Sequence, residues 1–84
     1  MKNDIGQRLR EERERLGLSQ VAMSDIGGVK KLTQLRYEKG DSFPDAAYLA
    51  ALSRFGLDVQ YVVLGIHSPE TYNDDEQELI TRFR

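Results

Sequence analysis

The sequence predicts an all-α domain assembled from short helices. Three observations carry this expectation. Apolar residues recur at spacings of three and four, glycines cut the chain every two to three helical turns, and the one β-branched run has no partner strand in the chain. The 84 residues make a single domain whose core has to be economical, a limit that a bundle of short helices meets.

The first segment, "DIGQRLREERERLG", sets Ile5, Leu9 and Leu16 on one helical stripe and fills the other faces with charge. Arg8–Glu12, Arg10–Glu14 and Glu11–Arg15 are opposite charges four apart, each pair worth roughly 0.2–0.5 kcal/mol on a helix surface. This reads as a surface helix stopped by Gly17. Ser19 is a natural N-cap for "QVAMSDIG", a short helix with Met23 and Ile26 turned inward, which Gly27 and Gly28 end. "VKKLTQLRYEKG" follows as a third helix closed by Gly40, and "DSFPD" is a loop in which Pro44 disfavours helix at Phe43 and Asp45 can start the next helix. "AAYLAALSRFG" reads as a core helix through Leu49, Leu52 and Phe55, with alanines that allow close contact. Asp58 can cap "VQYVVLG", for which a strand is the competing reading. "IHSPETYN" is a linker, so the chain divides into a domain over residues 1–66 and a linker with a C-terminal amphipathic helix over 67–84. That helix is capped by Asn73, begins acidic, ends on Arg82 and Arg84, and gathers Leu79, Ile80 and Phe83 on an apolar face.

Composition excludes several classes of function. Cysteine is absent, which removes disulfides, thiolate metal sites and thiol nucleophiles, and no apolar run approaches the roughly 20 residues that span a bilayer. The N-terminus has no apolar signal segment, and a cytoplasmic protein is expected. His67 stands alone in the linker, and the acidic run Asp74, Asp75, Glu76 and Glu78 reads as a solvated helix start, so no metal site is expected. No phosphate-cradling glycine loop and no serine with a base beside it can be found, so neither an enzyme, a cofactor nor a small-molecule ligand is expected. The net charge of −2 hides a division: residues 1–40 hold nine Lys/Arg against six Asp/Glu, while 41–84 hold three against eight. A basic front on an acidic body is compatible with phosphate binding.

The third helix has two possible phases. In one, Val29, Thr33 and Tyr37 face the core with Gln34 at their flank, and Lys31, Leu32, Leu35, Arg36 and Lys39 face out. In the other, the leucines turn in, bringing Lys39 with them, and Tyr37 turns out. Buried area barely separates the two, at roughly 1.5–3 kcal/mol per large apolar side chain. The first phase is preferred because it collects the cations on one exposed surface. Two short helices joined by a glycine turn, the second presenting cations, make a helix-turn-helix.

Taken together, "RLREERERLGLSQ", "GGV", "YEKG", "PDAAYLAAL" and "GLDVQYVVLG" resemble the N-terminal domain of phage-repressor-like (Cro-type, XRE family) bacterial transcriptional regulators over about residues 3–65. The resemblance implies a five-helix lambda-repressor-like fold and a regulator, usually a repressor, that binds palindromic double-stranded operator DNA as a homodimer. By position it implies base contacts from Lys31, Leu32, Leu35 and Arg36, and backbone contacts from Gln20, Lys30, Lys39 and Ser42. It further implies a left-handed Gly28 in the turn and a structural ion pair between Arg13 and Glu38. Leu79, Ile80 and Phe83, with residues of "VQYVVLG", are candidates for the dimer surface.

Two positions depart from the family pattern: Ser24 replaces a small alanine, and Gln34 replaces a buried branched aliphatic. A buried glutamine without partners costs on the order of 1–3 kcal/mol, so its amide is expected to reach the protein–DNA boundary and find a backbone group or phosphate there. Another class of function stays open: an antitoxin-like or adaptor module that captures a protein partner, supported by the overall acidity and the outward leucines. The chain can also be the DNA-targeting half of a longer regulator.

Overall fold

The computed structural model describes residues 4–69, and within them the chain forms five α-helices and no strands. They are α1 (Asp4–Arg15), α2 (Gln20–Gly27), α3 (Lys31–Lys39), α4 (Ala46–Phe55) and α5 (Val59–Leu64). "VQYVVLG" is therefore helical, despite its β-branched residues. The expected C-terminal helix, with Leu79, Ile80, Phe83 and the acidic run before them, lies outside the described residues.

Local chemistry places the helix ends. Ser19, Asp45 and Asp58 each accept a backbone N–H from three residues ahead, at Ala22, Tyr48 and Tyr61, which satisfies donors that a helix start leaves open. The turn between α2 and α3 needs a residue at φ 77°, and Gly28 supplies it. Any residue with a Cβ is disfavoured there. Its geometry lets Val29 N–H return to the Ser24 carbonyl (2.9 Å), so α2 closes and the chain reverses in three residues.

Packing places α3 against α1 and α2, α4 against α2, and α5 against α1. The core is Leu9, Met23, Tyr37, Tyr48, Leu52, Leu57 and Val62, with Ile5, Leu16, Leu18, Ile26, Val29, Leu49 and Val59 packed at its edge. α4 thus turns Tyr48 and Leu52 inward, while Phe55, expected in the core, is exposed. Within "VQYVVLG", Val62 belongs to this core, leaving Val63 and Leu64 as the exposed apolar residues. The rings of Tyr37 and Tyr48 meet edge to face with centroids 4.9 Å apart.

α1 is more than the surface helix its charge suggests. Gly6 is buried where α1 crosses the end of α3, and a Cβ there would stand 2.4 Å from the Tyr37 carbonyl oxygen. Of the three expected charge pairs four apart, only Arg10–Glu14 forms (3.1 Å). Glu12 is instead buried, paired three residues on with Arg15 (2.7 Å) while accepting the Asp58 N–H (2.9 Å). Arg8 Nε donates to the Val62 carbonyl (3.0 Å), and the Tyr61 hydroxyl takes up Glu11. At Arg8 and Glu12 burial decides the competition, because their tertiary partners lie at least partly away from water, whereas an exposed helix pair is worth only a few tenths of a kcal/mol.

Candidate functional site

α3 adopts the phase that collects its cations on the outside. Tyr37 is buried and Val29 and Thr33 are half-buried, while Lys31, Leu32, Arg36 and Lys39 are exposed. Leu32 is the most open apolar residue of the helix, at 56%. Leu35 is half-buried, held partly under this surface. Lys30, which occupies the N-cap of α3 without any side-chain capping bond, is exposed beside them. Ser42, in the loop after α3, and Gln20, the first residue of α2, are half-buried.

The cations of the domain fall into two groups. Every arginine of α1 is engaged internally: Arg8 on the Val62 and Val63 carbonyls, Arg10 on Glu14, Arg13 on Glu38, and Arg15 on Glu12 and the Gly56 carbonyl. Lys30, Lys31, Arg36 and Lys39 make no side-chain hydrogen bond or ion pair among the described residues. Positive charge that the fold uses is therefore on α1, while the positive charge left for an outside partner clusters on and beside α3, with Arg54, exposed in the last turn of α4, standing apart from both groups.

Behind that surface lies a polar network. Glu38 Oε2 accepts from Arg13 Nε (2.7 Å) and Gln34 Nε2 (2.8 Å), and Oε1 accepts from Arg13 Nη2 (3.2 Å) and Gln20 Nε2 (3.2 Å). The Glu38 side chain is 5% exposed. Burial pushes its carboxyl up, but the donors Arg13, Gln34 and Gln20, with the Arg13 charge, outweigh burial and hold it below the usual glutamate range. α1, α2 and α3 thus meet at one carboxylate. Arg13 adds a bond to the Leu18 carbonyl (3.1 Å), tying the α1–α2 turn to the same point.

Gln34 does not reach the outer boundary expected of it. It is 0% exposed; its carbonyl accepts the Tyr48 hydroxyl, and its amide nitrogen donates to Glu38 and approaches Met23 Sδ at 3.5 Å. Its amide nitrogen and its carbonyl oxygen both have partners inside, so no phosphate is needed to satisfy it. The reason is Tyr48: it brings a hydroxyl into the core from α4, and an aliphatic residue at position 34 would leave that hydroxyl without this partner. Burial, with the nearby Glu38 charge, holds the Tyr48 phenol protonated, well above the usual range. The other departure, Ser24, is buried and donates to the Val21 carbonyl (2.7 Å).

Two residues essential to this arrangement carry weak sequence signals. Tyr48 reads only as a core aromatic, and Gly6 reads as an unfavourable residue in a helix; a glycine tolerated there is a sign of close backbone approach. His67 lies against Tyr61, ring centroids 4.1 Å apart and nearly parallel, with Nδ1 3.7 Å from Asp58 Oδ2. Among the described residues no group of His, Asp and Glu could hold a metal ion, and no helix is long and apolar enough to cross a membrane.

Comparison with known protein families, with curated proteins and with solved structures finds no match.

Proposed function

We propose that the domain binds double-stranded DNA sequence-specifically, as a transcriptional regulator of the phage-repressor-like type acting as a homodimer on a palindromic operator. The observation that carries this reading is the division of cations, with Lys30, Lys31, Arg36 and Lys39 exposed and uncommitted around α3 while the α1 arginines are consumed by the fold. A helix of this length presenting such a face fits the major groove. Lys31, Leu32, Leu35 and Arg36 read base edges: Arg36 can pair bidentately with guanine, and Leu32 offers an apolar contact to a thymine methyl. Gln20, Lys30, Lys39 and Ser42 set position on the backbone. Glu38 and Arg13 hold α3 to the scaffold and make no contact with DNA.

Selection from a random duplex library, followed by binding of the recovered duplex across a salt series, tests this. Lys30 and Lys39 give two phosphate contacts per protomer and four per dimer, so log K is expected to fall against log salt with a slope of roughly −3.6. A recovered palindrome with that slope, and loss of discrimination at one base pair in Arg36→Ala, supports the reading. The exposed Leu32 favours a second reading, a module that captures a protein partner through the same face. No enriched duplex, together with a stable co-purifying protein, selects it.

A further inference from the structure

We infer that Tyr48 and Gln34, deep in the core, are positioning residues for the outer contact made by Gln20, acting through Glu38. The inference rests on the DNA-binding reading above and adds to it a path from the core to the phosphate contact.

Each link has a defined donor and acceptor. A carboxylate offers about four acceptor sites, and those of Glu38 are met by two Arg13 nitrogens, Gln34 and Gln20. The Gln34 amide could in principle face either way. Two partners set its direction together: the Tyr48 hydroxyl donates to the Gln34 oxygen, and the Glu38 carboxylate accepts from the NH2 group. Reversed, the amide would set an oxygen against the carboxylate. With Gln34 and Arg13 holding Oε2, Oε1 is held toward α2, where Gln20 donates to it. An amide nitrogen carries two hydrogens. Gln20 spends one on Glu38 and keeps the other at the half-buried edge of the domain for an anionic oxygen outside. Loss of the Tyr48 proton donor removes one of the two restraints on the Gln34 amide and loosens its hold on Glu38. The Gln20 donor then loses its fixed direction, although neither Tyr48 nor Gln34 is near the surface.

The test is a double-mutant cycle on affinity for the selected duplex, with Tyr48→Phe, Gln20→Ala and the pair. Thermal melts of each variant set a temperature at which all are folded. Tyr48→Phe alone is expected to weaken binding about three- to tenfold, the span of one net hydrogen bond. In the Gln20→Ala background the same substitution is expected to weaken it less than about twofold. Against Lys30→Ala, whose contact does not pass through Glu38, the effect is expected to multiply in full. A purely structural role would weaken both backgrounds alike. Unchanged affinity in Tyr48→Phe, or an effect that multiplies equally with Gln20→Ala and Lys30→Ala, overturns the positioning role and leaves the DNA-binding reading standing. No enriched duplex for the wild-type chain overturns the reading and the inference with it. Should Tyr48→Phe not fold, Gln34→Met, which deletes both amide bonds in a side chain of similar length, is judged by the same criteria.

Discussion

Replacing Gln34 with leucine tests the polar core directly. The substitution introduces an aliphatic side chain at a buried position, and a reading based on hydrophobicity alone expects stabilisation. The structure predicts the reverse. Gln34 is 0% and Tyr48 1% exposed, so Gln34→Leu strands a buried hydroxyl at a cost of roughly 1–3 kcal/mol, and Glu38 loses a charge-assisted donor worth roughly 1.5–3. The buried leucine returns roughly 1.5–3 kcal/mol. Because Glu38 keeps Arg13 and Gln20 as donors, a net loss of about 1–3 kcal/mol is expected. Urea unfolding followed by circular dichroism measures it, with an unchanged m-value marking a change in stability alone. The double variant Gln34→Leu/Tyr48→Phe removes both ends of the bond. Its loss is expected to fall short of the summed single losses by about 1–2 kcal/mol, since two missing partners are cheaper than one orphan. A Gln34→Leu protein as stable as the wild type, or single losses that add to within about 0.5 kcal/mol, would refute the reasoning.

Gly6→Ala should destabilise, although alanine is the better helix former by about 1 kcal/mol. The new Cβ would stand 2.4 and 2.8 Å from the Tyr37 and Glu38 carbonyl oxygens. These are backbone atoms that can yield only if α1 shifts from α3, so a net loss of about 1–2 kcal/mol is expected, read as a drop in melting temperature of about 4–8 °C per kcal/mol; an equal or higher melting temperature contradicts it. The Glu38 carboxyl lies below its ordinary value of 4.5 in the folded chain, so the unfolded chain takes up its proton first as pH falls. Its contribution is then fully present above 4.5 and lost as pH drops through the lower folded value. Urea midpoints are expected to fall more steeply as pH drops below 4.5 in the wild type than in Glu38→Gln, and equal slopes would contradict this.

Much of the fold was legible because its signals are local. Ser19, Asp45 and Asp58 act as caps three residues from the N–H groups they satisfy, and Gly28 needs only its own backbone torsion to be read as the turn. The phase of α3 was legible for another reason: Lys31, Arg36 and Lys39 share a face, and a folded chain does not bury unpaired cations. What misled was charge on α1. Glu12 looks like a partner for Arg8 four residues back, yet it accepts a backbone N–H 46 residues away and pairs with Arg15. Phe55 misled similarly, since its spacing from Tyr48 and Leu52 suits a core stripe, yet as the last residue of α4 it is left exposed.

The sequence alone determined that this chain folds as short helices, where they stop, and that Lys31, Leu32, Arg36 and Lys39 of α3 face outward, though Leu35, expected with them, is half-buried. Each of these depends on propensity, capping or charge within a few neighbouring residues. Tertiary structure alone decided the partner of Gln34, the hub at Glu38 and the need for glycine at position 6. Gln34 and Tyr48 lie 14 residues apart on different helices. Nothing in either local stretch reveals that a hydroxyl from α4 and an amide from α3 will share one small volume without water, where each leaves the other no cheaper partner.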